Sequence, residues 1–260
     1  MYAMRTRFKR DIVAEFLPPR RLLNVIKDKK TFIDAKAKII IFATGMPRQP
    51  NNDQLVDFWS KKGYWALTFR YRGSWESGGE FLQISPEQDV LDIVDQLPRG
   101  FESAWNKQKF KLNVKKIILI GTSFGGPAAI LASRDKRVDR VIAVAPVIDW
   151  NAPSKLEKVE TFYPLLKSAF GEAYRLPKRN WLKLLNGKFY NLMHYADEID
   201  GSKILIFHAR DDEVVNYKAV EKFARKTGAK LQLYKKGGHL SSRLLMKPSY
   251  YKKVTKFINS

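Results

Sequence analysis

Short apolar runs of five or six residues recur along the chain, and segments with apolar positions three and four apart fall between most of them. Lys38-Ile39-Ile40-Ile41-Phe42-Ala43 reads as a buried strand, and a helix is expected around Asp53 to Lys62. Tyr64-Trp65-Ala66-Leu67-Thr68-Phe69 is the next strand. Ser85-Pro86-Glu87-Gln88 then opens a helix, with Ser85 as cap, Pro86 at the first helical position and Gln88 closing a capping box. Val90, Leu91, Val94 and Leu97 mark its apolar face. Further strands are expected at Lys116 to Ile120, Val138 to Val144, Lys203 to Phe207 and Lys230 to Tyr234. Helices are expected at Pro127 to Ala132, Lys218 to Lys226 and Tyr250 to Ile258. This alternation predicts an α/β fold, a mostly parallel central sheet flanked by helices.

Two regions break the rhythm. Thr6 to Phe16 and Leu22 to Lys27 have mixed polarity and are read as two antiparallel strands at one sheet edge. The interval from Asp149 to Gly201 is too long for an ordinary connection and is rich in Trp, Tyr, Phe, Lys and Pro. Helical patches at Tyr163 to Phe170 and Asn180 to Leu185 sit inside it. We read residues 149–201 as a cap inserted into one domain that spans 1–260, with no internal repeat.

Composition narrows the class. A chain of 260 residues is long enough for a large core. No window approaches the apolar length of a membrane span, and the first ten residues lack a signal peptide's apolar stretch, so a cytoplasmic protein is expected. With no cysteine there is no disulfide, thiolate metal site or cysteine nucleophile. The net charge of +22 raises the question of a polyanion partner. The basic residues, however, occur in every segment and no run reaches a basic tail, so a generally solvated basic surface is expected and no nucleic-acid partner.

The candidate chemistry centres on Gly121-Thr122-Ser123-Phe124-Gly125, which joins the strand Lys116 to Ile120 to the small-residue helix Pro127 to Ala132. A G-x-S-x-G between strand and helix is the pattern of a nucleophile elbow, whose tight turn pushes the serine hydroxyl out of the sheet. A serine hydroxyl needs a base at neutral pH, and a histidine backed by a carboxylate suits that work. Past the insertion, the strand Ile204 to Phe207 runs into His208-Ala209-Arg210-Asp211-Asp212-Glu213-Val214-Val215, and after the last strand comes Gly237-Gly238-His239.

In the order serine, acid, histidine, these marks resemble an α/β-hydrolase over nearly the whole chain apart from the insertion. The segment at 208–215 is similar to the family's H-G-x-x-D-x-x-V, whose aspartate aligns with Asp212; Asp211 is its rival, and Asp135 and Asp149 are outsiders. Gly237-Gly238-His239 is similar to the stretch that presents the catalytic histidine, leaving His194 and His208 as the other two histidines. The resemblance implies a triad of Ser123, Asp212 and His239. It also implies an oxyanion hole of two backbone N–H groups, from Phe124 and from Met46, in a loop where Thr44-Gly45 replaces the family's usual His-Gly. Arg70-Tyr71-Arg72-Gly73-Ser74-Trp75-Glu76-Ser77-Gly78 resembles the family's Y-R-G-x-G-x-S-x-G, in which Arg72 and Ser77 are expected to brace loops.

The insertion resembles the lid of feruloyl-esterase-type hydrolases and of acylglycerol lipases. Most of its aromatic residues are expected to pack the cap on the body, and Trp150, Tyr163, Phe170 and Trp181 are expected to wall a substrate pocket. The resemblance thus implies a serine esterase acting on a small-molecule ester with an apolar or aromatic group, without metal or organic cofactor, as a monomer or homodimer. A prolyl-oligopeptidase-like peptidase, a thioesterase and a non-catalytic polyanion-binding protein on the same fold remain the alternatives.

Overall fold

The computed structural model describes residues 3–26, 31–50 and 53–260. Among these, eight strands form the main sheet: β1 (Met4–Phe8), β2 (Ile12–Leu17), β3 (Phe32–Ala43), β4 (Trp65–Phe69), β5 (Lys109–Thr122), β6 (Arg140–Val144), β7 (Ile204–Ala209) and β8 (Lys230–Tyr234). Their spatial order is β1-β2-β4-β3-β5-β6-β7-β8. From β4 onward every neighbouring pair is parallel, whereas β1 with β2 and β2 with β4 are antiparallel. A two-residue strand, Phe101–Glu102, pairs antiparallel with the start of β5.

The central strands are continuously apolar because both faces of the sheet are covered. Side chains alternate across a strand, so Ile39, Ile41, Ile117, Leu119, Val141 and Ala143 enter one core layer. Ile40, Phe42, Ile118, Ile120, Ile142 and Val144 enter the other. The first layer lies under α2 (Glu87–Gln96), α3 (Gly125–Ala132) and α6 (Tyr217–Thr227). The second is closed by α1 (Asp53–Lys61) and α7 (Pro248–Asn259). All eight residues of α3 are buried, which explains why it carries only small and aliphatic side chains.

Three expectations need correcting. Both edge strands come from residues 4–17, while Leu22 to Ile26 is not a strand and Lys27 lies outside the described residues. Pro18-Pro19 ends β2 and the chain enters a single 3-10 turn at Arg20–Leu22. The elbow strand starts at Lys109, well before its apolar run, because Phe110 and Leu112 are buried while Lys109 and Lys111 face water. Finally, Ser85 does not close a capping box: its hydroxyl donates to the Glu87 carboxylate, and Gln88 Nε2 donates to Asp92. Pro86 sits one residue before the helix, with no side chain capping the first turn.

Arginines tie the antiparallel edge to the parallel body. Arg72 pairs with Asp11 at 2.7 Å, Asp89 at 2.5 Å and Asp92 at 2.7 Å. Arg70 pairs with Glu15 at 2.7 Å, and Ser77 Oγ accepts from Val13 N–H while donating to the Arg70 carbonyl. The bracing expected of Arg72 and Ser77 is therefore present. Between β6 and β7 the chain forms α4 (Val159–Phe170), α5 (Lys178–Leu182) and several 3-10 turns. It is fastened to the body near the elbow: Tyr190 OH donates to the Phe124 carbonyl and accepts from Ala128 N–H at 3.1 Å.

Candidate active site

Ser123 stands where β5 turns into α3, with φ at +51°, a conformation that side chains other than glycine adopt only under constraint. The constraint is visible in its neighbours. A Cβ on Gly121 would come within 2.5 Å of the Gly125 carbonyl, and one on Gly125 would overlap the Ala43 carbonyl. Both glycines are thus required by close approach of strand, helix and the loop after β3. That loop reaches the serine: a Cβ on Gly45 would lie 3.2 Å from Ser123 Cβ and 3.9 Å from its Oγ. The next residue, Met46, lines both cavities that meet at Ser123. Among the described residues, no acceptor takes the N–H of Met46 or of Phe124.

Past β7, the turn holds the consecutive aspartates in different tasks. Asp212 Oδ1 accepts from Val214 and Val215 N–H, each at 2.9 Å, and Oδ2 lies 2.8 Å from His239 Nδ1. Asp211 instead accepts from the N–H groups of Gly237 and Gly238 at 3.2 and 2.8 Å, pinning the loop that carries His239. The Asp212 side chain is fully buried, while His239 keeps 28% of its side-chain surface exposed. Burial alone would raise the Asp212 pKa, but hydrogen bonds from His239 and Val215 and the charge of both histidines hold it below the ordinary carboxylate value. An ionised Asp212 fixes the proton of His239 on Nδ1 and leaves Nε2 to accept.

His208 is a second imidazole behind that carboxylate, 3.7 Å from Asp212 Oδ2. Its Nε2 donates to the Val215 carbonyl at 3.1 Å, and its buried Nδ1 has no hydrogen-bond partner among the described residues. Burial lowers its pKa, and His239 adds to that, against the opposing pull of Asp212 and the Val215 carbonyl. The ring is neutral at pH 7.

Ser123 faces two cavities. The first is a pocket walled by Met46, Phe124, Trp150, Phe162 and Trp181. Its indoles are fixed: Trp150 Nε1 donates to the Tyr190 carbonyl and Trp181 Nε1 to the Val159 carbonyl, each at 2.7 Å. Of the expected wall residues, Trp150 and Trp181 are there, and Tyr163 and Phe170 are not. Tyr163 OH donates to the Leu176 carbonyl and the Phe170 ring packs edge-on against Tyr174, both within the segment between β6 and β7. Phe162 takes the place on the wall. The second cavity is a more open cleft lined by His239, Arg48, Arg243 and Leu240. Glu157 lines both where they meet, and burial raises its pKa, with Asp212 adding to the rise and His239 opposing it.

Among the described residues no group of three or more histidine, aspartate or glutamate side chains is gathered as a metal ion would need. No described helix is long and apolar enough to cross a membrane.

Residues 50–260 match the sequence profile of the prolyl oligopeptidase family. A polyketide transferase, grgF, of a Penicillium species is 33% identical over 106 residues, which is 40% of this chain and 34% of the transferase. The match therefore spans about a third of that curated relative's length. The fold is similar to the esterase Pf2001 of Pyrococcus furiosus (TM-score 0.63, 16% identity, 100% of this chain and 90% of that one). It is also similar to Est1E of Butyrivibrio proteoclasticus with ferulic acid bound (TM-score 0.63, 17% identity, 99% and 100%). An acylaminoacyl peptidase of Pyrococcus horikoshii matches with a TM-score of 0.62 at 17% identity, over 99% of this chain and 41% of the peptidase. The mostly parallel sheet, its strand order and these likenesses make the architecture an α/β-hydrolase fold.

Proposed function

Because the chain belongs to the prolyl oligopeptidase family and is a serine hydrolase of the α/β-hydrolase type, we propose that it cleaves carboxylic esters through Ser123, His239 and Asp212. The observation that carries this reading is the 2.8 Å contact of His239 Nδ1 with a fully buried Asp212, in a cleft that Ser123 and His239 line together. His239 Nε2 takes the serine proton as Oγ attacks the ester carbonyl. The N–H groups of Met46 and Phe124 stabilise the tetrahedral oxyanion, assisted by the amino end of α3. His239 then protonates the leaving alcohol, and a water activated by His239 releases the acid from the acyl-enzyme. We read residues 149–201 as an inserted cap that supplies the aromatic wall of the pocket.

The ester reading is supported by the apolar, aromatic pocket, which suits an acyl group worth roughly 25 cal/mol per square ångström buried. The family match and the likeness to the acylaminoacyl peptidase favour amide substrates as a second reading. The test is turnover of p-nitrophenyl acyl esters and methyl hydroxycinnamates by the protein and by Ser123→Ala. We expect turnover in the first and a fall of at least about 10⁴-fold in the second. Undiminished hydrolysis by the variant overturns the assignment of Ser123, and turnover confined to aminoacyl amides overturns the ester.

A further inference from the structure

We propose that the cleft on the His239 side of Ser123 holds an anionic group, carboxylate or phosphate, carried by the leaving group of the substrate, through Arg48 and Arg243. This rests on the reading of Ser123 and His239 as nucleophile and base.

The chemistry divides the two cavities. A general acid must reach the atom that departs. His239 lines the cleft and is not among the residues lining the pocket. The leaving group therefore lies in the cleft, and the acyl group in the apolar pocket.

Two arginines line that cleft from different loops. Arg48 lies two residues past Met46, and Arg243 four residues past His239, in the 3-10 turn Ser242–Met246. Arg48 is held by backbone and side chain: its N–H donates to Tyr174 OH at 3.2 Å, its carbonyl accepts from Trp75 Nε1 at 3.1 Å, and its Nε donates to the Gln49 carbonyl at 3.3 Å. Its pKa is pushed down by burial and then by the charge of Arg243, so the two cations feel each other across the cleft. Arg243 makes no ion pair among the described residues, and the same holds for Arg140 and Arg175, which donate to backbone carbonyls. Planar guanidinium groups grip carboxylate and phosphate oxygens through paired hydrogen bonds.

The pocket on the other side of the serine gives the contrast. It is lined by Asp149 and Glu157 but by no lysine or arginine, in a chain with 48 of them. A general scatter of basic residues does not produce that division. Glu157, the one carboxylate among the residues lining the cleft, sits at its junction with the pocket.

Phenyl butanoates carrying a para carboxylate, phosphonate or carboxamide test the proposal. We expect kcat/KM for the anionic esters to exceed that for the carboxamide by about tenfold, mainly through KM. That ratio should fall toward one in Arg48→Gln and in Arg243→Gln, and recover in part in Arg243→Lys. The larger preference, for carboxylate or for phosphonate, identifies the natural anion. Equal kcat/KM for all three esters, or an anion preference that survives both glutamine variants, overturns the proposal. Loss of all turnover in Ser123→Ala reports separately on the catalytic reading. Calorimetric binding of the carboxylate and carboxamide esters to the Ser123→Ala protein tests the arginines without turnover: equal affinity overturns the proposal, and tighter binding of the anion supports it.

Discussion

The pocket and the cleft share Ser123, Met46 and Glu157 but otherwise are built from opposite materials. The pocket is aromatic, walled in part by the segment between β6 and β7, and lined by two carboxylates and no lysine or arginine. The cleft is more open, formed by the loops after β3 and β8, and lined by two arginines and a histidine. With a net charge of +22 over the chain, an indifferent surface would put lysine or arginine on both sides. Their absence from the pocket lining leaves one side of Ser123 free of cations, where an apolar group can be desolvated cheaply. On the proposed reading the comparison also separates two kinds of selectivity: fixed rings would set acyl size, and two long side chains would set leaving-group charge.

The largest expected effect ignores the division. Asp212→Asn should lower kcat by about 10⁴-fold for every ester, whichever cavity the substrate fills, because the His239 tautomer is lost. A fall confined to one substrate class would show that Asp212 acts on binding. Phe162→Ala breaks the pocket alone. It should lower kcat/KM for hydroxycinnamates by about tenfold and leave acetyl esters within about twofold, measured on matched leaving groups. A uniform loss would mean that the ring supports the fold instead of the acyl group.

The smallest effect sharpens the comparison by locating a pH-sensitive group outside both cavities. His208 has a lowered pKa in the folded protein, so the unfolded chain binds its proton first as pH falls. Its contribution to stability is present above about pH 6.5 and is lost as pH drops below that value. Thermal melts should show the protein losing about 3 °C more than His208→Gln between pH 7 and pH 5. Parallel curves would place the titration elsewhere.

The fold and the site are legible in the sequence wherever a physical constraint leaves a local trace. Strands covered on both faces read as continuous apolar runs, so β3, β5, β6 and β7 are visible, and the elbow shows through glycines that close approach demands. The edge is misread because Lys9 and Arg10 make the β1–β2 turn with positive φ and without a glycine to announce it. The pairing of Asp212 with His239 is expected, but the task of Asp211 is not, since a hydrogen bond to backbone N–H groups 26 and 27 residues away leaves no pattern. Phe162 and Tyr163 are neighbours on α4, and one step along a helix turns a side chain by about 100°. Composition says that aromatic residues are present there, and only packing says which one faces the cavity. Arg48 and Arg243 carry no spacing signal at all; their meaning comes from the loops that bring them together.

The hydrogen bonds of Tyr190 bear on how this protein could be remade. Tyr190 belongs to the segment between β6 and β7, yet its hydroxyl donates to the carbonyl of the residue after the serine and accepts from Ala128, in the first turn and a half of the elbow helix. An exchange of that segment for another, by recombination or by design, would therefore remove a support of the elbow along with the wall it was meant to replace. Chimeras that keep a tyrosine at this position would retain the nucleophile's geometry while acquiring a new pocket, and those that drop it would have to rebuild the elbow from the other side.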